Sequence, residues 1–215
     1  MHLIRKTQLF EGADAETRLR SLGLDCRSLL TVVRVGENAR AEATPHDPLN
    51  AGALDAYRYR VRAFRDRYAP DGWIVDHEGG VEKTWAPSRE HVVITRAGDD
   101  GVGVRTAIPQ PKSKPGTEVR SIVESAQLLL NPDWDIPPRH DEGDPAPEYA
   151  TWILLVARRG DIVRSELSSP VGLSDDDTVL GWHERILLPE IDLGSFDSVQ
   201  HVAPIDVDVP VIRKR

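Results

Sequence analysis

Apolar residues recur at helical spacing through roughly the first third of the chain and then pass to alternation and short runs. Leu54, Tyr57, Val61, Phe64 and Tyr68 follow one another at intervals of three and four, the seam of a helix that "APDGW" ends near Ala69. Upstream, residues 14–22 read as a short helix stopped by Gly23. Asp25 suits the N-cap of a second helix, with Leu24 and Leu29 placed as a hydrophobic staple. The stretch "LLTVVRV" inside it is β-branched and compatible with a strand, but a helix to about Ala43, broken by "TPHDP", accounts for more of the segment. The two long helices fit an antiparallel pair.

After Gly72 the pattern is that of strands. "WIVDHEG" and "VEKTWAP" predict two short strands about Gly79-Gly80, and "EHVVITRAGDDGVGVRTAIP" predicts a hairpin turning at "GDDG". "PQPKSKPG", residues 109–116, holds three prolines and is a loop. Thr117 then caps a helix to about Leu130, followed by the acidic, proline-rich "NPDWDIPPRHDEGDPAPE". "YATWILLVARRGDIVRSELSSP" predicts two long strands reversed at "RRGD", and "TVLGWHERILLPEIDL" one or two more. At the end Ile205, Val207, Val209 and Val211 alternate with Asp206, Asp208 and Pro210; prolines 204 and 210 confine that segment to an edge strand or an arm. Together the elements predict an α+β fold, a mainly antiparallel sheet with an N-terminal helical hairpin and one further helix packed on it. The expected organisation is one domain over 1–193, helical over 14–69 and β-rich over 72–193, with an extended arm or edge strand at 194–215.

Composition narrows the function classes. Hydrophobic residues make up 40% and charged residues 29% of the 215, which suits a soluble globular protein. No apolar run reaches membrane-spanning length, and the start has no signal-peptide core, so a cytoplasmic location without membrane contact is expected. Cys26 is the lone cysteine, which excludes an internal disulfide or a cysteine-based zinc site; it precedes an apolar run and reads as a buried thiol. The net charge of −8 is unevenly spread: residues 1–70 hold 12 basic and 9 acidic side chains, residues 121–215 hold 8 and 18. That polarity suits attraction between the two parts, or orientation of a partner.

Candidate chemistry is sparse. No phosphate-binding GxxxxGK[ST], dinucleotide GxGxxG, GxSxG elbow or HExxH is present, and no motif calls for a cofactor. Lys112 and Lys114 lead into the helix capped by Thr117, an arrangement that attracts anions, although a solvated capped loop has the same pattern. Asp76 and Glu78 fall on one face if their strand runs through 78, a pair able to hold Mg²⁺ or Mn²⁺; polar residues beside a turn are the simpler explanation. Arg58, Arg62 and Arg65 share a helical face and match a phosphate backbone, with Tyr59 beside them to stack on a base. Against that stands an acidic chain, so a solvated helix face facing the acidic carboxy-terminal part is the plainer reading. Trp134, in a proline-rich loop, suits an exposed anchor for a protein partner, and Ile205, Val207, Val209 and Val211 suit strand addition to a partner or to the chain itself. The expectation is a non-catalytic binding or accessory module for another protein, or a self-associating one. A nucleic-acid-binding protein is the first alternative and a metal-dependent hydrolase or nuclease the second.

Overall fold

A computed structural model describes residues 7–113, 120, 149–174, 176 and 178–194. The elements are β1 (Gln8–Phe10), α1 (Gly12–Ser21), α2 (Cys26–Ala41), α3 (Ala51–Tyr68), β2 (Ile74–Asp76), β3 (Lys83–Trp85), β4 (His91–Ala97), β5 (Ala150–Arg159), β6 (Ile162–Leu173), β7 (Val179–Leu187) and β8 (Ile191–Asp192). No helix among the described residues is long and apolar enough to cross a membrane.

The fold is α+β, but its sheet is mixed rather than mainly antiparallel. The strand order is β1-β7-β6-β5-β4-β3-β2, with β8 added to β6. β1 runs parallel to β7, and β4 parallel to β5. The expected hairpin at "GDDG" does not form. Instead Gly98 donates to the Val156 carbonyl at 2.8 Å, and the chain doubles back so that Asp99 N–H reaches the Gln110 carbonyl, also at 2.8 Å. The place beside β4 goes to β5, some fifty residues on, because the crossover brings a longer apolar strand to it. The pair at "RRGD" forms as expected: Arg159 faces Ile162 across a two-residue turn, with Gly160 at φ 61°. The helix expected from Thr117 to Leu130 lies outside the described residues except at Arg120, which is helical.

Local signals explain the helical layer. Asp25 caps α2 by accepting the Ser28 N–H at 2.7 Å, and Gly23 takes φ 70° at the end of α1. α2 and α3 pack at close range. A Cβ on Gly36 would lie 2.3 Å from Arg60 Cγ and 2.7 Å from the Ala56 carbonyl oxygen, so only glycine admits this approach. That contact rotates α3 away from its apolar seam. Its buried row is Ala56, Arg60, Phe64 and Tyr68, whereas Leu54 is 58% exposed and Tyr57 and Val61 are only half-buried. Arg60 is buried because its guanidinium meets Glu37, itself buried, at 3.0 Å.

Both sheet faces are covered. One packs Val93, Trp152, Leu154, Val163 and Ile186 against Leu19, Leu29, Val33 and Phe64 of the helices. The other carries Val92, Ile94, Ile153, Leu155 and Trp182 with Val102 of the 98–112 loop. Burial on both faces is why β5 reads as a continuous apolar run.

Candidate functional site

The β2 end of the sheet gathers most of the chemistry-bearing residues singled out above. Gly72, at φ 89°, turns the chain out of a 3₁₀ turn at Ala69–Asp71. Trp73 is then buried, its ring 5.8 Å from Phe64, 5.5 Å from Tyr68 and 5.4 Å from His91. This aromatic cluster fixes where β2 begins and ties it to α3 and β4. β2 is the outermost strand among the described residues and only three residues long, and its two apolar side chains face solvent: Ile74 is 36% and Val75 41% exposed.

Its hydrogen bonds knit the edge to β3 and α3. Asp76 Oδ2 accepts the Trp85 indole N–H at 3.0 Å and lies 3.3 Å from Lys83 Nζ, which is nearly buried. On the other side of the strand pair, Glu82 meets Arg65 and His77, each at 2.7 Å. Arg65 Nη2 also donates to the main-chain carbonyls of Asp76 and Lys83, at 3.3 and 3.2 Å. One guanidinium therefore clamps α3 to the strand pair.

These contacts redistribute the expected site residues. Arg65 is committed to the clamp and only 14% exposed. Arg58 and Arg62 stay exposed at 68% and 72%, with long 3.4 Å pairs to Asp55 and Asp66; Arg58 lies over the Tyr59 ring. Asp76 uses its carboxylate on Lys83 and Trp85, and β2 ends there: a 3₁₀ turn over Glu78–Gly80 follows, so the strand does not run through 78. Among the described residues no three His, Cys, Asp or Glu side chains are grouped as metal ligands. Lys112 is exposed at the end of the 98–112 loop, its N–H bonded to the Ala97 carbonyl at 2.8 Å. Lys114, Thr117, Trp134, Ile205, Val207, Val209 and Val211 lie outside the described residues.

Two buried charge networks were not anticipated. Glu37–Arg60 is one; the other joins Glu166 of β6 to Arg185 of β7 on the opposite face of the sheet, both essentially inaccessible. His91 is also buried, its Nε2 at 3.1 Å from the Leu22 carbonyl, which requires that nitrogen to carry the proton. Burial holds the His91 pKa below its ordinary value. A signal for Arg60 existed, since it falls at i+4 from Ala56 and i−4 from Phe64. Glu166 and Arg185 sit in strands whose pairing the sequence does not show. A small cavity of about 110 Å³ at the far corner is lined by Val102, Ala157, Ile162 and three arginines, Arg158, Arg159 and Arg164, of which Arg164 meets Glu190 at 2.6 Å and Arg158 donates to the Gly160 carbonyl at 2.8 Å. Compared with family models, curated proteins and solved structures, the chain matches none.

Proposed function

We propose that the protein is a non-catalytic binding module that takes an extended segment of another protein along β2. The observation carrying this is the pair Ile74 and Val75, two apolar side chains exposed on the outermost described strand, which Trp73 and Arg65 tie to α3. An outer strand offers main-chain donors and acceptors, and apolar residues on both of its faces add affinity to a strand laid beside it. The carboxylates nearby are engaged with Lys83, Trp85, Arg65 and His77, which suits a structural edge better than a hydrolytic centre.

The test is a photo-crosslinking residue at Val75, in protein expressed in its host, against the same residue at Leu180, which is 54% exposed on β7. Trapping of a distinct protein at 75 and not at 180 is the expected result. Identical patterns at the two positions would remove the reading. A nucleic-acid role keeps one supporting observation, the exposure of Arg58 and Arg62. It predicts oligonucleotide binding that falls steeply with salt and disappears in Arg58→Glu with Arg62→Glu; no binding at low salt would dismiss it.

A further inference from the structure

We infer that Arg40, Arg60 and Arg158, gathered around Glu37, form a binding site for a phosphate dianion, free or carried as a monoester. The site shares no residue with β2 or with the Arg65 clamp.

Three elements each bring one arginine to a single carboxylate. Gly36 lets α3 approach α2, and Arg60 Nη1 then lies 3.0 Å from Glu37 Oε1. Three residues along α2, Arg40 Nε donates to Glu37 Oε2 at 2.9 Å. From the end of β5, Arg158 Nη1 comes within 3.8 Å of that same oxygen. Arg40 and Arg158 thus meet at one point, close enough for one tetrahedral anion to touch both. The Glu37 side chain is 1% exposed, whereas those of Arg40 and Arg158 are 30% and 31% exposed, so the two arginines make the solvent-facing rim of the cluster.

The cluster carries more positive charge than Glu37 needs. One arginine neutralises a carboxylate, and Arg60, buried beside it, already does so. Arg40 and Arg158 reach the surface yet fold inward onto the same group. Asp161 offsets them only in part, since it is 72% exposed and 3.9 Å from Arg158 Nη2. The crowding is felt at Arg60, whose pKa is held down by burial first and further by Arg40, against the pull of Glu37. Three guanidinium groups against one carboxylate leave an excess of two charges, and a phosphate monoester carries close to that number of negative charges at neutral pH.

The donors are also to hand. The Arg40 side chain commits only its Nε, and Arg158 donates only through its Nε, to the Gly160 carbonyl at 2.8 Å. The Nη groups of both make no hydrogen bond among the described residues. Guanidinium forks of this kind match pairs of phosphate oxygens. The bond to Gly160 restrains the Arg158 guanidinium beforehand, which lowers the entropy cost of gripping an anion.

The experiment follows unfolding of the full chain by calorimetry at one ionic strength, with chloride, inorganic phosphate or glycerol phosphate as the anion. At least one of the phosphates is expected to raise the melting temperature by about 3 °C or more over chloride. A rise with inorganic phosphate alone assigns the site to the free ion; a rise with glycerol phosphate, alone or as well, assigns it to a monoester. Arg40→Gln with Arg158→Gln should lose most of that rise. Arg58→Gln with Arg62→Gln removes the same charge from the exposed face of α3 and should keep it. A rise absent from wild type, kept in the first pair or lost equally in both would overturn the inference. If the first pair does not fold, Arg158→Gln alone decides, because Arg158 makes no hydrogen bond to Glu37; a fully retained rise there would overturn it as well. None of these readouts involves β2, so they stand or fall separately from the crosslinking result.

Discussion

The two buried ion pairs occupy different layers of the molecule and are built differently. Glu166 and Arg185 meet in a two-pronged contact, at 2.6 and 2.9 Å. Every remaining group is served: Glu166 also accepts from Ser168 Oγ and Gly103 N–H, each at 2.7 Å, and Arg185 donates to the carbonyls of Ala107 and Val104 at 2.6 and 3.1 Å. In the helical layer Arg60 makes a single 3.0 Å contact with Glu37, and its Nε has no hydrogen-bond partner among the described residues. Burial lowers the Arg60 pKa to about 10, outweighing the attraction of Glu37. Glu37 is less dependent on Arg60 than the reverse, since Arg40 lies 2.9 Å from it and Arg158 3.8 Å. A buried ion pair gains from good geometry and complete hydrogen bonding and otherwise loses to desolvation. Only the sheet pair meets that condition, and it does so by holding the 98–112 loop against the sheet.

Removing the better pair should do the most damage. Arg185→Leu leaves Glu166 charged and buried and strips donors from two loop carbonyls, so a loss of about 3–5 kcal/mol is expected in denaturant unfolding. Faster amide exchange at Gly103 should accompany it. A loss below about 1 kcal/mol would mean that the network is not a staple.

Arg60→Met should be milder, about 2 kcal/mol, because Arg40 and Arg158 remain near Glu37. The sharper measurement is the double change. Glu37→Gln with Arg60→Met should return to within about 1 kcal/mol of wild type, whereas Glu166→Gln with Arg185→Met should not, since the loop carbonyls stay without their donors. Equal recovery in both would erase the distinction drawn here.

Gly36→Ala probes the close approach that buries Arg60. Its methyl meets the Ala56 carbonyl, which is backbone and cannot swing aside, so a loss of about 1–2 kcal/mol is expected. Combined with Arg60→Ala the loss should be less than additive, because the nearer clash, with Arg60 Cγ, is gone. Strict additivity would place the two residues out of contact.

The smallest effect concerns pH. The folded His91 pKa is depressed, so the unfolded chain takes up the proton first on acidification. The stability linked to neutral His91 is therefore complete above the unfolded value near 6.5 and is lost as pH falls toward the folded value. The melting temperature should decline between pH 7.5 and 5.5, and more shallowly in His91→Gln. An identical slope in the variant would assign the decline to other groups.

Much of the local structure was legible. The cap at Asp25, the stop at Gly23 and the reversal at Gly160 each follow from one residue whose chemistry satisfies or bends the backbone nearby. The short extended runs on either side of Gly79-Gly80 likewise announced a strand pair, which forms with Ile74 opposite Trp85. The phase of α3 was not legible. Leu54, Tyr57 and Val61 outline a better apolar seam than the row that is buried, and the choice was made by Gly36 on another helix. The hairpin at "GDDG" failed for a related reason: glycines and acids there permit a tight turn, but the partner of β4 lies far along the chain. Of the candidate site, the sequence supplied the residues but not their commitments, since Arg65 and Asp76 are spent on contacts that exist only once α3, β2 and β3 are assembled.

By itself, then, the sequence determined the stop at Gly23, the cap at Asp25, the strand pair about Gly79-Gly80, the reversal at Gly160 and the passage from a helical to a β-rich part, because those depend on interactions a few residues long. The tertiary structure alone decided the mixed strand order, the burial of Arg60 and Arg185, and the exposure of Ile74 and Val75. Each depends on which distant element arrives alongside, and a residue's charge or polarity does not reveal whether a partner waits there to offset its desolvation.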